Sequence, residues 1–144
     1  LTHGIRAGLG TDGAASNNRL DLLGEMRAAA LLAKGASADP TAVPAHAALH
    51  MATLGGAKAL GLDARIGSLT PGKRADITAM RLSDIELAPL YDPVSQIVYA
   101  AGREHVTHVW IDGRLRVENG ALTQMDAREL GLRAVHWSEK IRRG

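Results

Sequence analysis

One carboxylate set among small residues is where this sequence concentrates its chemistry. Asp12 closes the short apolar run Ile5-Arg6-Ala7-Gly8-Leu9-Gly10-Thr11, and Gly13-Ala14-Ala15-Ser16-Asn17-Asn18 follows it. A carboxylate at the carboxyl end of a strand can bind a cation or take a proton. In barrels and open parallel sheets that end is where catalytic groups project. Gly8, Gly10 and Gly13 would let a metal or substrate come close to the backbone. The plainer alternative is an aspartate that only accepts backbone hydrogen bonds in a tight turn. Ser16 and Asn17 can orient Asp12 or line a pocket, or they can simply form the turn, while Asn18 reads as a helix cap.

Other constellations carry less. Gly8, Gly10 and Gly13 superficially match a dinucleotide-binding loop, but Asp12 would set a negative charge against the pyrophosphate and no Lys-Ser/Thr pair follows. His46 and His50 have the four-residue spacing that puts two imidazoles on one helix face, yet position 47 is Ala rather than Glu and no third ligand is in sight. They are assigned to a solvated or partly buried face. His105 and His108 flank a strand start and do not share a face, His136 beside Trp137 reads as surface, and His3 precedes the amino end of the first strand. The six histidines are not expected to form a site between them. In Pro71-Gly72-Lys73-Arg74-Ala75-Asp76, Pro71-Gly72 sets a turn, Lys73 and Arg74 face water, and Asp76 fixes the lead into a strand.

The elements that must hold Asp12 follow from periodicity and punctuation. Ile5 to Gly10 predicts a strand, and Leu1-Thr2-His3-Gly4 before it resembles the close of a helix. A helix is expected over Leu20 to Lys34, capped at Asn18 with Asp21 three positions on. Leu23, Met26, Ala30 and Leu31 make its buried stripe, Leu22 and Ala33 widen it, and Gly35 stops it. A second helix is expected over Pro44 to Leu60, with Leu49, Ala52, Ala59 and Leu60 inward and Gly61 as its stop. Gly55-Gly56 inside it costs about 1 kcal/mol per glycine in propensity, which implies close approach of another backbone. From Ile66 the pattern becomes strand-like: Ile77-Thr78-Ala79-Met80, Ile85-Glu86-Leu87 as a short strand or extended linker, Ile97 to Ala100, and Val106 to Ile111. Asp112-Gly113 predicts a hairpin into Arg114 to Val117, and Asn119-Gly120 a second turn toward Ala121-Leu122-Thr123. A last helix is expected over Asp126 to Arg142, with Leu130, Ala134, Trp137 and Ile141 on one side. The divisions expected are 1–65, 66–125 and 126–144, the first boundary falling between Leu62 and Leu69.

Composition bounds the partners. With 144 residues and 46% hydrophobic content, about one ordinary domain with a real core is available. Seventeen basic and 15 acidic side chains give a net charge of +2. The pI near 9.3 therefore reflects near balance. No basic block exceeds Arg142-Arg143 and no aromatic residues alternate with positive charge, so nucleic acid is not an expected partner. Cysteine is absent, which removes disulfides and thiolate chemistry. No stretch approaches the roughly 20 apolar residues of a membrane span and no signal peptide opens the sequence, so a cytoplasmic protein is expected. The sequence also opens without Met, and a piece of a longer polypeptide is expected.

Leu9 to Asn18, followed by Leu20-Asp21-Leu22-Leu23-Gly24-Glu25-Met26-Arg27, resembles the C-terminal part of metal-dependent amidohydrolases. The nearest branch is that of 5-methylthioadenosine and S-adenosylhomocysteine deaminases with their triazine chlorohydrolase relatives. The likeness continues through Ala52 to Leu62, Ile66 to Ile77 and Val109-Trp110-Ile111-Asp112-Gly113, these later blocks marking only the wider superfamily. It implies an α/β fold: the last part of a (β/α)8 barrel joined to the C-terminal share of a small β-sandwich. Ile5 to Gly10 would be the eighth strand, the helices from Leu20 and Pro44 would close the barrel, and Ile77 to Thr123 would belong to the sandwich. A whole barrel takes about 250 residues, so the upstream remainder would be a partner of this chain.

The resemblance implies that Asp12 is both a metal ligand and the group that takes a proton from a metal-activated water. The ion would be Zn2+, or another divalent metal such as Fe2+ or Mn2+. The reaction implied is hydrolytic deamination of the adenine ring of 5-methylthioadenosine or S-adenosylhomocysteine, a small-molecule nucleoside substrate. Ser16 and Asn17 match family positions and are carried as substrate-binding candidates. The family's His-x-His pair, its two later histidines and its glutamate acid have no counterpart in this sequence, so the chain alone is expected to be inactive. The alternatives are a triazine amino- or chlorohydrolase, a guanine deaminase, or a non-catalytic scaffold or interaction domain. Alanine-rich helices are compatible with a homo-oligomer.

Overall fold

Among the described residues three helices come first, then a four-stranded antiparallel sheet with a fourth helix between its first two strands, and one helix last. The computed structural model describes residues 4–143, so the expectations for Leu1, Thr2 and His3 lie outside the described residues. Helix α1 spans Leu22–Ser37 and is capped by Asp21, whose Oδ1 accepts from the Gly24 N–H at 3.3 Å. The expected cap at Asn18 is corrected: Leu20 takes a positive φ of 48°, which turns the chain so that Asp21 faces the orphan amides. Gly35 does not stop the helix. It runs on to Ser37, where Ala38 adopts the left-handed conformation.

The expected helix from Pro44 to Leu60 is two helices, α2 at Ala45–Ala52 and α3 at Leu54–Ala59, broken at Thr53. Thr53 turns its hydroxyl back to the Leu49 carbonyl at 2.7 Å and leaves helical φ, ψ space. The break re-aims the second half, so Ala59 and Leu60 are exposed while Gly55 and Ala57 are buried. Gly61, with φ 69°, ends the pair as expected. The glycine pair does serve close approach: a Cβ on Gly8 would stand 2.6 Å from Gly56 Cα, and one on Gly55 would meet the Ala7 carbonyl at 3.1 Å.

The 5–10 run is extended, and the strand expected there is not paired within this chain. A strand needs a neighbour to share its ladder, and among the described residues its one such bond is from Leu9 N to Met51 O at 3.1 Å. The core lies where α1, α2 and a fourth helix meet. Met26, Ala30, Ala45, Ala48 and Val98 are buried there, with Leu9, Leu23, Leu49 and Ala52 packed against them. Leu31, by contrast, is 54% exposed.

That fourth helix, α4 at Pro93–Tyr99, replaces the strand expected at Ile97 to Ala100. Asp92 accepts from the N–H groups of Val94 and Ser95, and Pro93 occupies the first turn. The cap overrides the β-branched pair Ile97-Val98. Ile85–Leu87 is a 3-10 turn rather than a strand.

The sheet is a meander in the order β1 (Ile77–Met80), β2 (Val106–Ile111), β3 (Arg114–Glu118), β4 (Ala121–Leu122). Both tight turns have two consecutive positive-φ residues, Asp112 and Gly113, then Asn119 and Gly120. This is the geometry a twisted two-residue hairpin requires. The expected water-facing Lys73 is corrected: it is half-buried and donates to the carbonyls of Asp63 and Ile66. Arg74 pairs with Asp112 at 2.8 Å, and Asp76 accepts from Asp112 N at 2.7 Å, so this loop clasps the first hairpin. Helix α5 spans Ala127–Arg143, and none of its residues is buried. No helix is long and apolar enough to cross a membrane among the described residues.

Candidate active site

Asp12 stands at the end of the extended run in a left-handed conformation, φ 58°. Such backbone is uncommon for a residue with a side chain, and aspartate tolerates it better than most. The residue stands just before a turn that folds back on its carboxylate. Oδ1 accepts from the Gly13 N–H at 2.7 Å, and Oδ2 accepts from the Ser16 hydroxyl at 2.7 Å. The Ser16 hydroxyl, and next the Gly13 amide, hold the Asp12 carboxyl below its ordinary range, against a small opposing effect of burial. The group is therefore ionised at neutral pH.

Ser16 and Asp12 are thus brought together. Asn17 turns away: its Nδ2 donates to Glu25 Oε1 at 2.7 Å, and its Oδ1 accepts from the backbone of Arg19 at 3.0 Å and Leu20 at 3.3 Å. Asn18 is exposed. His46 and His50 are both exposed on α2, as expected of a solvated face. A shallow recess lined by Ile5, Ala7, His50, Met51, Gly55 and Lys58 lies along the start of the extended run and does not include Asp12.

Asp12 fits one coordination position of a divalent cation. It is an ionised oxygen donor, and each oxygen accepts a single hydrogen bond, which leaves a lone pair free on each. Zinc takes about four ligands, however. Among the described residues no group of three histidine or carboxylate side chains includes Asp12, so a cation held there would need ligands from outside such a group.

One group of three such side chains does form, and sequence reasoning missed it: Asp84, Glu86 and His105, their ligand atoms within 4.8 Å of one another. Nothing in the sequence announces it, because His105 lies 19 positions beyond Glu86. His105 is buried on the 3-10 turn before β2, and its Nδ1 accepts the Gly102 N–H at 3.0 Å. That bond assigns the proton to Nε2, which then donates to Glu86 Oε1 at 3.3 Å. In this tautomer the imidazole has no lone pair for a cation, and the group reads as a hydrogen-bonded tie between two turns.

The profile described as Amidohydrolase family matches residues 1–116. The chain belongs to the amidohydrolase family. It is 46% identical over 138 residues to a 5-methylthioadenosine/S-adenosylhomocysteine deaminase of Teredinibacter turnerae, covering 96% of this chain and 31% of that protein. A protein of the same description from Syntrophobacter fumaroxidans is 48% identical over 130 residues, 90% of this chain and 30% of its own length. The chain thus spans about a third of the curated relatives it matches.

Among solved structures, an adenosine deaminase from Xanthomonas campestris with bound zinc superposes with a TM-score of 0.95 at 45% identity, over 99% of this chain and 33% of that one. An atrazine chlorohydrolase from Arthrobacter aurescens complexed with zinc gives a TM-score of 0.84 at 32% identity, over 94% and 30%. This amidohydrolase-family chain has the fold of the corresponding part of those structures.

Proposed function

We propose that the longer protein carrying this chain hydrolyses the exocyclic amine of the adenine ring in 5-methylthioadenosine or S-adenosylhomocysteine. Water enters at the ring carbon and ammonia leaves. The observation that carries this reading is 46% identity across 96% of the chain to a relative of that name. The triazine hydrolase is the second reading, favoured by its TM-score of 0.84 but matched at only 32% identity.

In the proposed site Asp12 is one ligand of a divalent cation, zinc by the precedent of both structural neighbours. When bound, such an ion supplies a water molecule of near-neutral pKa. Asp12 contributes a carboxylate whose two oxygens are each fixed by one donor, so that the free lone pairs point in set directions and one of them takes a proton. Ser16 orients Oδ2. Asn17, with its oxygen accepting two backbone bonds and its nitrogen donating to Glu25, acts through the shape of the turn.

We further propose the arrangement in which residues 1–65 complete a barrel supplied mainly by preceding sequence, 66–125 belong to a small β-sandwich and 126–144 form a terminal helix. A cytoplasmic enzyme with a small nucleoside substrate follows from this reading. The test is turnover by the purified full-length protein. Loss of the adenine absorbance band of 5-methylthioadenosine or S-adenosylhomocysteine, with one ammonia released per ring, is expected. Turnover of chlorotriazines or guanine without it would overturn the substrate class.

A further inference from the structure

We infer that Glu25 is a positioning residue for Asp12 and acts through Asn17. The inference rests on the reading of Asp12 as ligand and proton acceptor, and it assigns Asn17 to holding the turn in place of contacting substrate.

The two groups that grip the Asp12 carboxylate, Gly13 N–H and the Ser16 hydroxyl, both belong to one closed turn. Ser16 N and Asn17 N both donate to the Gly13 carbonyl, at 3.0 and 2.9 Å. Wherever Asn17 is held, Gly13 and Ser16 are held with it. Asn17 in turn spends its carboxamide oxygen on the Arg19 and Leu20 amides and its nitrogen on Glu25 Oε1. Among the described residues this last bond is the one side-chain hydrogen bond from the 13–20 turn to a helix.

The anchor sits on a packed helix. Glu25 is half-buried in the first turn of α1, next to Met26 at 3% exposure in the core. The same helix is tied to the end of α4 by Arg27 Nη2 donating to the Ala101 carbonyl at 2.7 Å. Asp12 and Leu20 meanwhile both hold left-handed backbone, a conformation that needs its surroundings to fix it. The path core, Glu25, Asn17, Gly13 and Ser16, Asp12 therefore sets where the carboxylate points.

Glu25 acts here as an acceptor, so its charge is dispensable while its oxygen is not. The test uses the full-length zinc-loaded protein carrying Glu25→Ala, Glu25→Gln, Asn17→Asp and the double variant Asn17→Asp/Glu25→Gln. Rates are read together with the rate of metal loss to a chelator. Glu25→Ala is expected to lower kcat/KM and metal retention about 10–100-fold, the usual effect of losing a partner behind a ligand. Glu25→Gln keeps an acceptor oxygen and is expected to stay near the parent. Asn17→Asp sets two carboxylates together and is expected to fail. The double variant is expected to recover, because the amide introduced at position 25 can donate to the carboxylate introduced at position 17.

Parental turnover and metal retention in Glu25→Ala would overturn the inference. So would equal losses in Glu25→Ala and Glu25→Gln, or no recovery in the double variant. Asp12→Asn is run alongside. If it abolishes turnover while Glu25→Ala does not, the positioning role alone falls, whereas a fully active, metal-retaining Asp12→Asn would remove both readings.

Discussion

At the scale of the residue, the proposed function turns on how the Asp12 carboxylate is held by Gly13 and Ser16. Asp12→Asn keeps the size of the side chain and removes its charge and its capacity to take a proton. Turnover in the full-length protein is expected to fall by about 10²–10⁴, the range associated with a positioned proton-transfer group, with the far-ultraviolet circular dichroism unchanged. Ser16→Ala leaves the Gly13 amide in place but removes the larger of the two influences that depress the Asp12 carboxyl. Its pKa is therefore expected to rise toward the ordinary carboxylate value, as read by the carboxyl carbon shift in an NMR titration of the metal-free protein. An unmoved value would show that the hydroxyl does not bond Oδ2 in solution. The tight turn around the Asp12 carboxylate was legible from its neighbours, since glycines lie on both sides and Ser16 follows four positions later. The engagement of Asn17 with Glu25 was not, because eight positions separate them and only the positive φ at Leu20 folds the chain back far enough.

At the scale of the element, sequence signals succeeded where backbone geometry leaves few options and failed where a cap decides. Asp112-Gly113 and Asn119-Gly120 specify their hairpins because both central residues need positive φ. Ile97-Val98-Tyr99 has strand chemistry, yet Asp92-Pro93 upstream makes it a helix, and the cap was in plain view. The 5–10 run shows the limit of pattern reading, since a strand is a property of a pair and no pattern in one run supplies its partner. Glycine placement gives a sharp comparison along that same run. Gly8→Ala would push a methyl to 2.6 Å from Gly56 Cα, whereas a Cβ at Gly10 meets nothing within 4 Å. Gly8→Ala is expected to destabilise by about 1–3 kcal/mol, as overpacking does, and Gly10→Ala to leave the urea midpoint near that of the parent. Leu87, 1% exposed, is a cavity test in the opposite direction. Leu87→Ala is expected to cost about 2–5 kcal/mol, and a midpoint shift matching that of a surface leucine would contradict its place in the packing.

At the scale of the whole molecule, charge and exposed apolar surface act together. Asp12, Asp39, Asp84, Asp92 and Asp112 all sit below their ordinary pKa, held there first by Ser16, Thr41, Arg81, Ser95 and Arg74 respectively. A carboxyl depressed in the folded state binds its proton more readily when unfolded. Its contribution is therefore complete above the unfolded value, about 3.9 for aspartate, and is lost as pH falls through the folded value. Urea midpoints are expected to be flat from about pH 7 to 5 and to drop below about pH 4. The apolar surface points the other way from self-sufficiency. Leu32, Leu60 and Ile141 are each more than 70% exposed, and Leu130, Ala134, Trp137 and Ile141 form a continuous stripe on α5 that touches no core of this chain. Exposed apolar side chains on several helices weigh against an independent scaffold domain and fit a chain spanning about a third of its relatives. The 144-residue chain expressed alone is therefore expected to bind a hydrophobic dye and to associate in sedimentation, both lessening when the full-length protein is measured at equal concentration. A monodisperse, dye-silent 144-residue product would mean that these faces are closed within the chain itself, and the case for an upstream body covering them would be lost.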